Sequence, residues 1–290
     1  MRVEIGDAVL YCGDCREIIP TLERGSFRHA CTSIPYWQLR DYGHPAQLGS
    51  EKTPEQFVAA MLEVFELVRA KIAPDGTLAL NVGDSYAASG KGGGGSCASK
   101  RSASSWGGII ARKGFRMPPP GYKMKDLTLT PFALADALRR AGWYLRQTVI
   151  WRKSSAVEPT RADRPATSHE YLFLFAASER YFARHPSETW WNHSVWDIER
   201  EQYSDHPAVM PSELARRCIL PFTEPGDAVL DPFAGSGTTL EVAVRLGRRA
   251  IGCELNPAYL EIAKRRMEEA NGVGSLFDPT AAPTLFPSPG

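Results

Sequence analysis

A glycine-rich segment near the carboxyl end of the chain contains the residue types of a cofactor-binding turn. Residues 231–239 read Asp-Pro-Phe-Ala-Gly-Ser-Gly-Thr-Thr, after an apolar run at 228–230 and before a helical pattern at 240–246. Gly235 and Gly237 allow positive φ and the close approach of a ligand. A strand, a glycine turn and a helix in this order indicate an element that cradles a cofactor.

This segment differs from two common phosphate-binding loops. In nucleotide hydrolases a Lys follows the second glycine of the loop, and here none does. The glycines are also spaced differently from the three glycines of the dinucleotide-binding fingerprint. Residues 249–254 predict a further strand that ends at Glu254, where a carboxylate suits the two hydroxyls of a ribose. A carboxylate suited to ribose, together with the lack of a phosphate-binding motif in the glycine-rich segment, indicates that the ligand is an adenosine without phosphates.

A second segment with reactive residue types lies far upstream, at 32–37, Thr-Ser-Ile-Pro-Tyr-Trp. Together the two segments resemble the amino-methylating DNA methyltransferases that use S-adenosylmethionine. In that family the catalytic loop reads Asp/Asn/Ser-Pro-Pro-Tyr, and the cofactor loop reads Asp-Pro-Phe-x-Gly-Ser-Gly-Thr. The order, with the catalytic loop first, is similar to the permuted β group of the family. Further similar segments lie at 81–85, 150–153, 168–171 and 206–208.

The resemblance implies a specific chemistry for the upstream loop. An exocyclic base amine is a poor nucleophile because its lone pair is delocalised into the ring, so the site must accept hydrogen bonds from both N–H groups. Ser33 would supply one acceptor and the backbone carbonyl of Ile34 the other. Pro35 stiffens the loop. Tyr36, with Trp37, would stack on a base rotated out of the duplex.

The first residue of this loop bears on the target base. In the family, Ser at this position goes mostly with cytosine N4, and Asp or Asn with adenine N6, so Ser33 favours N4 of cytosine. Ile34 replaces the usual first proline. A carbonyl acceptor does not depend on the side chain, so the chemistry is retained in a less rigid loop. Methylation at cytosine C5 is set aside because it needs a Pro-Cys pair, and no Cys here follows a Pro.

The resemblance also implies a set of cofactor contacts. The glycine-rich segment would surround the methionine part, and Glu254 would bind the ribose, with Asn256 just past it. Asp14 and Cys15 would contact the adenine, whereas segment 206–208 and Ser212 would pack on the methionine tail. The full set is Asp14, Cys15, Thr32, His206, Ser212, Asp231, Pro232, Phe233, Gly235, Gly237, Thr238, Glu254 and Asn256.

The distribution of charge indicates where a nucleic acid would bind. The formal net charge is only +1, but between Ser85 and Lys125 there are eight basic residues and no acidic one. Scattered basic residues usually form a solvated surface loop, but the absence of acids here favours phosphate contacts. We expect recognition inserts at about 86–125 and 179–205, with help from 151–167, and Arg164 and His193 as further candidate contacts. The basic residues are Lys91, Lys100, Arg101, Arg112, Lys113, Arg116, Lys123 and Lys125.

Strands that alternate with helices predict an α/β fold with a doubly wound, mostly parallel, Rossmann-like methyltransferase sheet in circularly permuted order, carrying a long basic loop insert. We expect one domain over residues 1–270, with a catalytic half at 1–175, a cofactor half at 206–270 and a disordered tail at 271–290. Strands are predicted at 3–5, 8–11, 30–32, 77–82, 144–151, 171–175, 228–230 and 249–254, and segment 179–205 is predicted to be irregular. Helices are predicted from Pro54, at 131–141, at 212–219 with Ser212 as N-cap, at 240–246 and from Asn256.

Composition narrows the class of protein. The chain has no apolar run of 18 residues and no signal-peptide core at its start. Its six cysteines suit free thiols in a reducing cytosol, so we expect a cytoplasmic protein. The resemblance to the methyltransferases implies a bacterial or phage origin. Cys12 and Cys15 have a metal-type spacing, but no second pair completes a site, and no metal is expected.

Three alternatives to N4-cytosine methylation of duplex DNA stay open at the level of sequence. The first is N6-adenine methylation by the same fold, and the second is methylation of RNA or of a protein amide. The third is a non-catalytic DNA-binding module that retains the cofactor pocket. By the same resemblance, a homodimer and a cognate restriction endonuclease are candidate partners.

Overall fold

The computed structural model describes residues 1–39, 42, 44–88, 117–153, 163–201 and 210–272. Within these residues, nine strands form one sheet in the order β1-β2-β9-β8-β3-β4-β6-β5-β7, flanked by six α-helices. The strands are β1 (Arg2–Ile5), β2 (Ala8–Cys12), β3 (Phe27–Ser33), β4 (Ile72–Val82), β5 (Tyr144–Arg152), β6 (His169–Ala176), β7 (Val195–Asp197), β8 (Ala228–Asp231) and β9 (Arg249–Glu254). The helices are α1 (Cys15–Ile18), α2 (Pro54–Arg69), α3 (Thr130–Arg140), α4 (Ser212–Ile219), α5 (Thr238–Arg245) and α6 (Pro257–Gly272).

The central strands of the sheet are parallel. β2, β9, β8, β3 and β4 run in one direction, and β6 is antiparallel to both β4 and β5. From β3 the chain winds through α2 to β4, whereas from β8 it winds through α5 to β9 on the other side. The strand order therefore reverses between the neighbours β3 and β8, and ligands of open α/β sheets bind at the carboxyl ends of strands at such a point. The predicted doubly wound sheet is confirmed.

Two apolar layers cover the faces of the sheet. On β4, Leu78 and Leu80 pack in the layer of α2 and α3, whereas Ala79 between them packs in the layer of α4, α5 and α6. This alternation follows from the period of two in a strand. Helices on both faces bury the parallel strands and fix the positions of the loops at their ends.

α2 shows how local sequence sets an element. Thr53 caps its first turn, with Oγ1 accepting from the Gln56 amide at 3.3 Å, and Pro54 occupies the first position, where its missing N–H has no consequence. Phe57, Met61, Val64, Phe65 and Val68 recur at helical spacing and are all buried. The predicted helix is confirmed.

Four details differ from the sequence prediction. β4 begins at Ile72 rather than at the predicted residue 77, and its pairing with β3 is irregular between Ile72 and Thr77. The short strand β7 lies in a segment that was predicted to be irregular. Ser212 is the first residue of α4, and Pro211 precedes it as N-cap, so the predicted capping role of Ser212 is wrong. α6 continues to Gly272, and the Asn271 side chain donates to the Ile5 carbonyl at 3.1 Å, so the predicted start of a tail at residue 271 is wrong.

Other predictions fall on residues that are not described. Most of the basic insert, residues 89–116, lies outside the described residues, as do 273–290. In the described part of the chain, no helix is long and apolar enough to cross a membrane. Nor do any three His, Cys, Asp or Glu side chains there form a cluster that would hold a metal ion.

Candidate active site

A cavity of about 770 Å³ opens at the carboxyl ends of β3 and β8. Its wall contains residues 33–36 from the loop after β3 and most of residues 231–239 from the loop after β8. Pairing of Ala30 with Leu230 brings the two strands side by side, although they are about 200 residues apart in the sequence. The structure thus unites the two predicted segments in one cavity, whose size suits a cofactor and part of a substrate.

Two carboxyl groups line the cofactor side of the cavity, Asp231 buried and Glu254 half-buried. Glu254 Oε2 accepts from the Gly235 amide at 2.9 Å, and Oε1 accepts from the Asn256 amide at 2.7 Å. Burial raises the pKa of Glu254 to about 7 and that of Asp231 to about 6. Asp231 Oδ1 accepts from the Phe233 amide at 3.0 Å. Each oxygen of Glu254 keeps a second lone pair for a hydroxyl donor.

The two glycines of the cofactor loop have different roles. Both have positive φ, +54° at Gly235 and +85° at Gly237. Gly235 lines the cavity, and a Cβ there would meet no atom closer than 3.9 Å. A Cβ at Gly237 would lie 2.9 Å from the Ala263 Cβ of α6, and Gly237 does not line the cavity. The predicted close approach to a ligand therefore fits Gly235, whereas at Gly237 it is wrong, because α6 packs there instead.

Residues from three further elements complete this side of the cavity. Asp14 and Cys15, after β2, both line it, and Asp14 caps α1 through the Arg16 amide at 2.9 Å. Burial opposes ionisation of Asp14, but hydrogen bonds from Arg16 outweigh it and lower the pKa. Burial raises the pKa of Cys15 to about 12, so this thiol is neutral. Asn256 lines the cavity and caps α6, its Oδ1 accepting from the Ala258 amide at 2.9 Å.

The catalytic side is a network of polar side chains around Ser33. Asn81 Nδ2 lies 3.1 Å from Ser33 Oγ, 3.1 Å from Tyr36 Oη and 2.9 Å from Glu170 Oε2. The Tyr36 hydroxyl donates to the same Glu170 oxygen, and Lys153 donates to the other. Burial, with the charge of Glu170, raises the pKa of Tyr36 well above its usual range. All five residues line the cavity.

Asn81, Lys153 and Glu170 were not assigned as site residues by the sequence. Their segments were noted for their resemblance alone. The signal that could have identified them is position, since Asn81 and Lys153 lie near the carboxyl ends of β4 and β5. Glu170 lies near the start of β6, which runs antiparallel to both strands and so begins at the same edge.

Besides Gly237, three predicted catalytic or cofactor residues in the described part of the chain lie outside the cavity wall. Trp37 is only 1% exposed, packs in the core beneath α2, and donates from Nε1 to the Glu51 carbonyl at 2.9 Å. The predicted stacking of Trp37 on a base is therefore wrong, because the ring is enclosed by core side chains. Thr32 is fully buried on β3. Ser212 bonds Glu201, its Oγ lying 3.0 Å from Oε2, and it is Glu201 that lines the cavity.

The remaining candidates lie elsewhere. His206 and the six basic residues from Lys91 to Arg116 are outside the described residues. Lys123 and Lys125 are exposed, and Lys125 Nζ lies 2.8 Å from Asp163 Oδ2. The Arg164 guanidinium lies 3.9 Å from the centre of the Tyr86 ring. None of these three basic residues lines the cavity, nor does His193.

Residues 27–265 match the sequence profile of the DNA methylases. The chain belongs to the DNA methylase family. Among its relatives is the type II methyltransferase M.XycI of Xanthomonas campestris pv. cyanopsidis, 40% identical over 273 residues that cover 91% of this chain and 89% of that enzyme. This methylase therefore shares nearly its whole length with a restriction-modification enzyme.

Solved structures agree with the fold of the methylase. A DNA modification methylase of Thermus thermophilus, solved with S-adenosyl-L-methionine, is 28% identical with a TM-score of 0.62, over 90% of this chain and 93% of that one. The cytosine-N4-specific PvuII DNA methyltransferase has a TM-score of 0.67 at 19% identity, over 92% and 91% of the two chains, and shows the shared fold.

S-adenosylmethionine is the cofactor of this methylase, and the cavity fits it. The half-buried Glu254 carboxylate has one lone pair left on each oxygen, which suits the two ribose hydroxyls. The open space at Gly235 allows a ligand to contact the backbone. Asp14, Phe233, Asn256 and Tyr259 also line the cavity and would hold the rest of the cofactor.

Proposed function

We propose that this DNA methyltransferase modifies N4 of cytosine in a short sequence of duplex DNA, after the base is rotated out of the stack. The observation that carries the proposal is the neutral hydroxyl of Ser33 in the cavity beside the cofactor loop, with Asn81 Nδ2 3.1 Å from its oxygen. In amino-methylating enzymes, Ser at this position goes mostly with cytosine. No carboxylate occupies that position, so the amine meets a neutral acceptor.

The residues of the cavity make the amine a better nucleophile. Ser33 Oγ and the backbone carbonyl of Ile34 accept its two N–H hydrogens, which localises the lone pair on nitrogen. Tyr36 packs its ring against Gly83, where a Cβ would come within 2.6 Å, so the ring has a fixed position for stacking on the base. When bound, S-adenosylmethionine supplies a methyl group on a positively charged sulfur. The protein contributes mainly position and the exclusion of water.

We propose that DNA recognition belongs to two inserts. The first, at about 86–125, lies within the catalytic half at 1–175, and the second, at 179–205, lies between that half and the cofactor half at 206–270. The eight basic residues of the first insert, without an acidic one, support phosphate contacts. Arg164 over Tyr86 supports a contact at the edge of that insert.

Partners and cellular location follow from the same proposal. The relationship to type II enzymes supports a cognate restriction endonuclease as partner. A homodimer is proposed on family resemblance. The five cysteines in the described residues are free thiols, which supports a cytoplasmic location.

The experiment that tests the proposed function is expression in a host that lacks DNA methylation. Single-molecule sequencing of the host DNA should find N4-methylcytosine in one short motif. A host that expresses Ser33→Ala should lack the mark. If the motif instead contains N6-methyladenine, the target base is adenine and the proposal of cytosine is wrong. If the protein is folded and binds the cofactor but the DNA is unmodified, the proposed function is contradicted.

A further inference from the structure

A buried guanidinium lies behind the cofactor loop, residues 231–239. Arg266 of α6 is only 8% exposed, and its Nη1 lies 2.9 Å from Thr238 Oγ1 and 3.2 Å from Ser236 Oγ. The Ser236 carbonyl accepts from the same nitrogen at 3.4 Å. Ser236 and Thr238 both line the cavity, whereas Arg266 does not. The guanidinium therefore acts on a ligand only through the residues of the loop.

The charge of Arg266 is paired with a carboxylate on α5. Arg266 Nε lies 2.7 Å from Glu241 Oε2, and the other oxygen of Glu241 accepts from Arg245 Nε at 3.0 Å. A buried charge is costly unless it is both paired and hydrogen-bonded. Glu241 supplies the pairing and the loop supplies further acceptors, so one side chain holds α5, α6 and the loop together.

The bonds to Arg266 determine how the two hydroxyls can act. A guanidinium only donates, so Ser236 Oγ and Thr238 Oγ1 are the acceptors, and each hydroxyl keeps its own hydrogen to donate. Among the residues that the structure describes, no protein atom accepts a hydrogen bond from either hydroxyl. Both hydroxyls are thus donors that are available to a ligand in the cavity.

The guanidinium also makes these hydroxyls stronger donors. Hydrogen bonds in series polarise one another, so a hydroxyl that accepts from a cation donates more strongly. Ser236 is 5% exposed and Thr238 is 4% exposed, which limits the screening of this effect by water. Hydrogen bonds to an ionised acceptor are the strong ones, so such a pair of donors suits an anionic group of the ligand.

S-adenosylmethionine has one anionic group, the carboxylate of its methionine part. Asp14, Asp231 and Glu254 also line the cavity, and their carboxyl groups suit the hydroxyls and the cationic groups of the cofactor. When these acids are ionised, they repel a carboxylate. Ser236 and Thr238 offer donors instead, and so suit the carboxylate.

We infer that Arg266 is a positioning residue for the cofactor, because it holds the hydroxyls of Ser236 and Thr238 as donors for the carboxylate of S-adenosylmethionine. Without the guanidinium, each hydroxyl could rotate, and the positive charge beside the loop would be lost. The inference concerns cofactor binding alone. It does not depend on DNA or on which base is methylated.

The test compares the binding of S-adenosylmethionine with that of its decarboxylated form, which lacks only the carboxylate. Calorimetry is carried out on the full chain at about pH 8, above the pKa of about 7 at Glu254. The wild type should bind the decarboxylated form about 10 to 100-fold more weakly. Arg266→Met should bind S-adenosylmethionine about tenfold more weakly than the wild type does, but the decarboxylated form within about twofold.

Three further variants sharpen the comparison. Thr238→Val keeps the shape of the side chain and removes one donor, so it should show the same selective loss. Added to Arg266→Met, it should lower the affinity little further, because both changes act on the same hydrogen bond. Arg266→Lys keeps a positive charge and should restore part of the affinity for S-adenosylmethionine. The matched control is Arg265→Met, at an exposed neighbour on α6, which should bind both ligands as the wild type does.

Each outcome decides for or against the inference. If Arg266→Met weakens the binding of both ligands equally, Arg266 serves only the packing of the loop, and the inference is overturned. It is also overturned if the wild type binds the two ligands with equal affinity. If Arg266→Met does not fold, Thr238→Val decides: a selective loss supports the inference, and unchanged affinities overturn it. Failure to methylate DNA would contradict the proposed function but would leave these binding results unaffected.

Discussion

Glu254 is a residue at which burial and ligand binding have opposite effects on ionisation. Burial raises its pKa to about 7 in the ligand-free protein. Hydroxyl donors from a ribose bind the ionised carboxylate better than the protonated one, so a ligand lowers this pKa. Below about pH 7, binding therefore requires the release of a proton.

We predict that cofactor affinity weakens as the pH falls through about 7. The dissociation constant should rise by up to about tenfold per pH unit well below the pKa, because one proton must be displaced. Calorimetry at about pH 6 and about pH 8 measures this. The control is Glu254→Gln, which should bind more weakly and with a smaller dependence on pH. Equal pH dependence in both proteins would rule out Glu254 as its source.

Sequence reasoning recovered the acids of the cofactor side but not the network of the catalytic side. Asp231 and Glu254 end apolar runs, so their position at a strand end can be read directly from the sequence. Tyr36 and Glu170 are 134 residues apart, and Asn81 and Ser33 are 48 residues apart. Their contact depends on how β3, β4, β5 and β6 are ordered in the sheet, which no local pattern contains. Trp37 was misassigned because its enclosure in the core beneath α2 depends on tertiary packing, which its neighbours in sequence do not reveal.

At the scale of elements, the loop between β8 and α5 combines two requirements in one turn. Gly235 must leave room in the cavity, and Gly237 must leave room for α6. The positive φ at both positions disfavours any residue with a Cβ by about 1–2 kcal/mol. At Gly237 the Cβ would also overlap Ala263, and overpacking of this kind destabilises by about 1–3 kcal/mol.

Alanine at these two positions should therefore have different effects. We predict that Gly237→Ala lowers the free energy of unfolding by about 2–5 kcal/mol, the sum of the two contributions. Gly235→Ala should lower it by only about 1–2 kcal/mol while also weakening cofactor binding. Urea unfolding and calorimetry of both variants provide the comparison. Equal losses of stability would show that α6 does not constrain the loop.

Elements with a long periodic pattern could be predicted from sequence, and short or irregular ones could not. α2 has a cap, a proline at its first turn and five buried positions at helical spacing. β7 has only three residues, too few to show a period of two. It forms by parallel pairing with β5, in which Trp196 of β7 lies opposite Trp151 of β5. Pro74 and Gly76 are residues typical of turns, but pairing of β4 with β3 on both sides of them keeps the segment in one strand.

At the scale of the whole molecule, the reversal of strand order between β3 and β8 explains why two distant segments make one site. Each segment follows the carboxyl end of a parallel strand, and the two strands are neighbours. The cofactor loop and the catalytic loop therefore face one cavity at the same edge of the sheet. The permuted order of the two halves changes where the two loops lie in the sequence, but it does not change their positions at the edge of the sheet.

Charge at the scale of the molecule should control affinity for DNA. We predict that alanine at both Lys100 and Arg101, in the basic insert, weakens DNA binding and reduces the slope of log affinity against log salt by about one to two. The control variant has alanine at both Arg139 and Arg140, which are exposed on α3 and lie outside the insert. It loses the same two positive charges, but its slope should be nearly that of the wild type. Salt titrations of DNA binding measure the slopes, and an unchanged slope in the insert variant would exclude phosphate contacts by these two residues.

The identity of the modified base tests the account most directly. Purified protein is incubated with isotopically labelled S-adenosylmethionine and genomic DNA from a methylation-free host, and the DNA is then digested to nucleosides for mass spectrometry. The account predicts label in N4-methylcytosine with the wild type, and no label with Ser33→Ala, which should still bind the cofactor. Label in N6-methyladenine, or equal label with Ser33→Ala, would contradict the role that the structure supports for Ser33.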